Sequence, residues 1–129
     1  YNEQPKWNFD FNNEIKKSLT ALNLSRGGPN KYASSNRIAL LMGNGIVPFI
    51  HEDVKYQDFF DNGEIITYKT AHDLLSTLDK IKLDEKKIKK RSMNAKKSYF
   101  NYFENTIISD YLLHKIFDTK PKYNFVWNK

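Results

Sequence analysis

The residues best equipped for chemistry in this chain begin at Arg26-Gly27-Gly28-Pro29-Asn30, a loop by composition, since Gly, Pro and Asn all interrupt regular structure. Ser34, Ser35 and Asn36 follow where a helix starts, and a serine there suits the cap position. In a parallel sheet the loop from Ser25 to Ala33 and this helix start lie at a strand's carboxyl end, where unpaired amides and the helix dipole favour an anion. Arg26 adds charge, Gly27 and Gly28 permit close backbone approach, and Ser34, Ser35 and Asn36 offer short polar donors. The chemistry is phosphate binding. An ordinary glycine loop ahead of a serine-capped helix has the same composition, so the residues by themselves leave both readings open.

His51, Glu52 and Asp53 form a second group. They follow an apolar strand, a position from which side chains can face a cleft and contact sugar hydroxyls or move protons. A solvated loop explains them equally well. His51, His72 and His114 have no metal-ligand spacing, so no metal site is expected, and His72 and His114 read as helix-surface residues. No catalytic residue is legible.

These groups need elements to hold them. Trp7, Phe9 and Phe11 recur at every second position, which predicts an extended lead-in. Helix formers then surround Ile15 between Asn12 and Ser18, and Leu19 to Leu24 reads as a short buried strand. The helix after Ser34 or Ser35 carries Ile38, Ala39, Leu41 and Met42 and stops at Gly43-Asn44-Gly45. Ile46 to Ile50 is an apolar strand in which Pro48 implies an amide that needs no ladder partner. A third strand spans Glu64 to Tyr68, and Thr70-Ala71-His72-Asp73 resembles a capping box opening a helix with Leu74, Leu75, Leu78 and Ile81 on one face. Two further amphipathic helices are expected after Asp84, one bearing Ile88, Ser92, Ala95, Tyr99 and Phe103, the other Ile107, Tyr111 and Ile116.

Strands alternating with helices predict an α/β fold: a Rossmann-like, mostly parallel sheet with flanking helices and a helical C-terminal extension. The length of 129 residues, 40% hydrophobic, suits one domain. Within it we expect an aromatic lead-in (1–11), an α/β core (12–81), a helical part (84–118) and a tail (119–129).

Charge bounds the partners. The formal net charge is +6, and nine Lys/Arg against two acids between Lys80 and Lys97 put +7 in that segment, leaving −1 for the rest. Eighteen of the 21 basic residues are Lys, whereas phosphate and base recognition favours the forked guanidinium, so no nucleic acid is expected. The Lys82 to Lys97 segment could touch an anionic membrane, although a solvated helix face is the simpler reading. The absence of cysteine fits a reducing compartment, and the expected location is the cytoplasm, with peripheral contact at the inner membrane as an extension.

The run from Leu22 to Phe60, LNLSRGGPNKYASSNRIALLMGNGIVPFIHEDVKYQDFF, resembles the C-terminal lobe of GT-B glycosyltransferases, in particular the spore-protein-like group of "glycosyl transferases group 1". The shared pattern is S-x-R-x-x-x-x-x-G-x-G followed by a hydrophobic strand, here Ser35, Arg37, Gly43, Gly45 and Ile46 to Ile50. Asp58 to Gly63 with Glu64 to Tyr68 continues it, and the likeness covers roughly Leu19 to Phe103. The resemblance implies a nucleotide-sugar-binding lobe that takes a UDP- or GDP-sugar, needs no cofactor and works with an N-terminal partner lobe outside this sequence. It implies that Arg26 and Arg37 stabilise the diphosphate leaving group while Ser34, Ser35 and Asn36 donate to phosphate. Many relatives carry a glutamate in this helix that binds the donor ribose. That slot here is Leu40, and its usual earlier partner falls near Tyr32, so ribose binding by other groups is implied. A non-catalytic phosphate- or nucleic-acid-binding α/β module is the alternative that the basic segment suggests.

Overall fold

The computed structural model describes residues 6, 8–25, 27–33, 35–61, 63–81 and 84–127. Three strands, β1 (Thr20–Asn23), β2 (Val47–His51) and β3 (Ile66–Tyr68), form one sheet in the order β1-β2-β3. Both pairings are parallel, with Thr20 opposite Val47 and Phe49 opposite Ile66. Helices α1 (Asn8–Lys16), α2 (Asn36–Gly43), α3 (Ala71–Ile81), α4 (Glu85–Phe103) and α5 (Asn105–Phe117) complete the regular structure, with two single 3₁₀ turns at Glu52–Val54 and Tyr56–Asp58. The fold is the expected one, α/β and Rossmann-like, with flanking helices and a helical C-terminal part.

Alternation along β2 divides the core. Ile50 packs on one face with Ile38 and Met42 of α2 and Ala95 of α4, joined by Val54, Tyr56, Phe60 and Ile65. Val47 and Phe49 point to the other face, where Ile66 and the α3 residues Leu74, Leu78 and Ile81 receive them. Val47 and Ile50 are fully buried, and each such side chain contributes about 1.5–3 kcal/mol relative to exposure. Pro48 sits in the central strand one residue before the pairing with β3 begins at Phe49.

Helix ends follow local chemistry. At the end of α2 the Gly45 amide donates to the Met42 carbonyl and the Ile46 amide to that of Leu41, both at 2.9 Å, a Schellman closure. Gly45 takes φ +74, the left-handed value this closure requires, and a Cβ there would lie 3.1 Å from Ser92 Oγ. Ser92 donates to the Gly45 carbonyl, which ties α4 to the turn. At α3, Thr70 Oγ1 accepts from the Asp73 amide at 3.1 Å, and the Asp73 carboxylate accepts from the Lys69 amide at 3.0 Å. This is the expected reciprocal cap with its return bond shifted one residue outward.

Three expectations are corrected. Phe9 and Phe11 lie on helix α1, not on an extended lead-in, and both are exposed; Trp7 is outside the described residues. The every-second-residue spacing there answers to no buried strand face. Strand β1 is an edge strand, not a buried one: Leu22 and Leu24 are 39% and 59% exposed, and its one buried residue is Asn23. Finally, α5 buries Ile107 but leaves Leu112, Leu113, Ile116 and Phe117 exposed, so it is not packed along a continuous apolar face. No described helix is long and apolar enough to cross a membrane.

Candidate anion-binding site

The chain leaves β1 at Asn23, makes the loop and enters α2 at Asn36, so α2 begins at the sheet's carboxyl edge. Asn23, Leu24, Ser25, Gly28, Asn30, Ala33, Ser35, Asn36 and Arg37 line a cleft of about 520 Å³ there. Gly27 and Gly28 adopt φ +74 and +122, conformations that side-chain-bearing residues rarely reach, which explains the glycine pair. Arg26 and Ser34 lie outside the described residues.

The loop is pinned from behind. The Tyr32 amide donates to the Val54 carbonyl at 2.8 Å, and the Tyr56 hydroxyl donates to the Ala33 carbonyl at 3.2 Å. Tyr32 itself has φ 57, an uncommon value for a bulky residue, and its hydroxyl donates to Asp58 at 2.7 Å while its ring packs on Phe59. The bond to Asp58 holds the Tyr32 phenol above its ordinary pKa. These contacts fix the approach to α2 through residues that sequence spacing does not connect.

The start of α2 is open. Ser35 is the cap residue in extended conformation, yet its side chain makes no capping bond. Its carbonyl accepts from the Ile38 amide at 3.0 Å, and the Asn36 and Arg37 amides of the first turn have no backbone partner among the described residues. Both residues are exposed and line the cleft. The Arg37 guanidinium donates to the Leu24 carbonyl at 3.1 Å and forms no ion pair with an acid among the described residues. One of its five N–H groups thus braces the end of β1 against α2, and the rest of the fork stays uncommitted. A positive helix end, amides without a partner among the described residues and a guanidinium with no acid beside it among them converge on one opening, the kind of arrangement that favours an oxyanion.

Asn23 was not legible as part of this group. It is 7% exposed, its Oδ1 is buried, and no hydrogen-bond partner among the described residues reaches that atom. A polar residue between two leucines of a strand is the only sequence signal it gives.

His51, Glu52 and Asp53 do not line the cleft; the structure engages them elsewhere. His51 Nδ1 accepts from the Asp53 amide at 3.3 Å, so Nε2 carries the proton and donates to the Lys69 carbonyl at 3.0 Å. Glu52 pairs with Lys69 at 3.0 Å and holds the Lys69 ammonium above its usual pKa. His51 and Glu52 thereby link the ends of β2 and β3. His72 is exposed on α3 as expected, whereas His114 is half-buried: its Nδ1 bonds the Thr119 carbonyl and its ring stacks on Phe125. Among the described residues no group of three or more His, Asp or Glu side chains is placed to hold a metal ion.

On helix α4 several basic side chains stay in solvent, and two are paired within the helix end: Lys87 with Asp84 at 3.0 Å and Lys89 with Glu85 at 2.7 Å. The basic segment is therefore a solvated face flanking the core residues Ile88 and Ala95.

Comparison with known proteins adds one finding. A model of the glycosyl transferase-like family matches residues 1–113, which takes in the whole sheet, the cleft and most of α5. No curated protein and no solved structure matches the chain. With a family match over most of its length, this chain belongs to the glycosyl transferase-like family, and glycosyl transfer is the function that membership supports.

Proposed function

We propose that this chain is the nucleotide-sugar-binding lobe of a two-lobed GT-B glycosyltransferase of the spore-protein-like group. In this reading a UDP- or GDP-sugar places its diphosphate at the opening of α2. The observation that carries it is that opening: amides at Asn36 and Arg37 with no backbone partner among the described residues, a Ser35 side chain that makes no capping bond and the Arg37 guanidinium on one cleft at the carboxyl edge of a parallel sheet. Arg26 and Ser34 belong to the proposed site by their place in the loop, and Gly27 and Gly28 let the backbone approach the phosphates.

The mechanism asks the lobe for electrostatics. As the sugar's anomeric carbon leaves the diphosphate, negative charge grows on the leaving oxygen, and preformed donors at the α2 opening stabilise it without rearranging. The acceptor and the group that activates it come from the partner lobe, so the 129-residue chain is expected to bind donor without transferring sugar. His51, Glu52 and Asp53 are secondary candidates for sugar contacts at the neighbouring strand end. A phosphate-binding module without catalysis is less well supported, because the family match favours a transferase and the basic segment lies on the α4 face, away from the cleft.

Titrating the chain with UDP and GDP while following backbone amide resonances tests this. Shifts are expected at Gly28, Asn36 and Arg37. Silence across residues 27–37 at millimolar ligand would overturn the proposal.

A further inference from the structure

Helix α4 turns Ile88 and Ala95 inward, and both are buried. On its opposite side Met93 is 74% and Phe100 45% exposed, two helical turns apart and so nearly in line. Lys86, Lys90 and Lys97 run along one side of that line and Lys89 and Lys96 along the other, because residues three and four apart share a helix face. All five lysines are exposed. Glu85 is the single acid of the helix, and Lys89, which it meets at 2.7 Å, is the one lysine of the five in an ion pair among the described residues.

The fold needs neither half of this pattern. Lysines without acid partners repel one another along a helix, and an apolar side chain left in water gains nothing from being apolar. Both become favourable against one kind of surface. An anionic bilayer attracts lysines that lie within a Debye length of its headgroups, and the acyl boundary beneath receives apolar side chains set between them. The long lysine stems let the ammonium groups stay at the headgroups while Met93 and Phe100 go deeper. A second copy of the chain fits poorly, because two such faces would bring like charges together. A nucleic acid would use the lysines and offer nothing in which to bury Met93.

We propose that the outward face of α4 docks the protein on an anionic lipid surface, with Met93 and Phe100 entering the interface and the flanking lysines at the headgroups. No α4 residue lines the α2 cleft, so this surface is separate from the donor site and does not depend on what that site binds.

The test sediments the 129-residue chain with vesicles of phosphatidylcholine alone and of phosphatidylcholine carrying about 30% phosphatidylglycerol. Wild type is expected to bind the anionic vesicles at least about tenfold more tightly, and to lose most of that preference when salt rises from about 0.1 M to about 1 M. Lys90→Gln with Lys97→Gln should weaken anionic binding roughly thirtyfold, at about fivefold per lysine. Met93→Gln with Phe100→Gln should weaken it about tenfold and leave the circular dichroism spectrum unchanged. Because the sequence has no cysteine, a polarity-sensitive fluorophore attached through Met93→Cys reports on this face alone. A label attached through Leu75→Cys is the control, since Leu75 is exposed on α3, which packs on the other face of the sheet. The label at position 93 should shift to the blue on anionic vesicles and the label at position 75 should not. Absence of binding to the anionic vesicles, equal binding to both kinds, an equal shift of the two labels, or binding that survives both double substitutions overturns the proposal. So does tighter binding to duplex DNA at matched phosphate that is indifferent to Met93→Gln with Phe100→Gln, which would make the face a nucleic-acid contact.

Discussion

Helices α3 and α4 close their own N-termini with side chains, and α2 does not. Thr70 and Asp73 serve α3, and the Asp84 carboxylate accepts from the Lys87 amide at 3.0 Å at the start of α4. Helix α2 has a serine in the same position with its hydroxyl unengaged, although its other end is closed tightly by Gly45. Helix α5 also lacks a side-chain cap, but it follows α4 across Glu104 alone, whose carbonyl accepts from the Ile107 and Ile108 amides. The contrast separates two uses of the same dipole. At α3 and α4 the chain satisfies the helix end locally with a side chain; at α2, which opens on a cleft, it does not, and the stability of the helix comes from its far end and its packed face.

The largest effect should come from α2's closed end. Gly45→Ala places a Cβ in a left-handed conformation and 3.1 Å from Ser92 Oγ, which should cost about 2 kcal/mol by urea unfolding. A loss below about 0.5 kcal/mol would mean that this turn does not anchor α2. Next, Thr70→Ala removes a formed cap and should cost about 1 kcal/mol, with faster amide exchange in the first turn of α3.

The α4 cap should respond to acid. The Lys87 amide and ammonium both hold the Asp84 carboxyl below its ordinary pKa. A depressed folded value means that the contribution is complete above the unfolded pKa, near 4, and is lost as pH falls through the lower folded one. Melting temperatures of wild type and Asp84→Asn should therefore differ at pH 7 and converge toward pH 3; a constant gap would show that the charge of Asp84 is not what matters. Ser35→Ala should change stability least, within about 0.5 kcal/mol, because no capping bond is lost. A cost above 1 kcal/mol would erase the distinction between α2 and the other two helices.

Much of this architecture was legible beforehand. Ile38, Leu41 and Met42 recur at helical spacing and are buried, Gly45 stops the helix, and Ile46 to Ile50 is buried throughout. The same holds for the opening of α2, since Ser35, Asn36 and Arg37 do line one cleft with Gly28. His51, Glu52 and Asp53 were legible as polar residues after a strand, but their engagement with Lys69 depends on β3 lying beside β2, which no spacing encodes. Arg37 could be placed on the helix start, yet its bond to the Leu24 carbonyl rather than to an acid depends on how closely α2 approaches β1.

The sequence by itself determined the order of elements, the turn at Gly45 and the cap at Thr70. Each rests on backbone sterics and hydrogen bonds spanning a few residues, and those act wherever the segment is placed. Tertiary structure alone decided that β1 would be an edge strand, that Asn23 rather than its flanking leucines would turn inward, and that the aromatic residues Phe9 and Phe11 would ride on a helix. Burial is a property of neighbours, and the neighbours of Asn23 (Ile50 beside it and α2 above it) are supplied by segments that lie far along the chain.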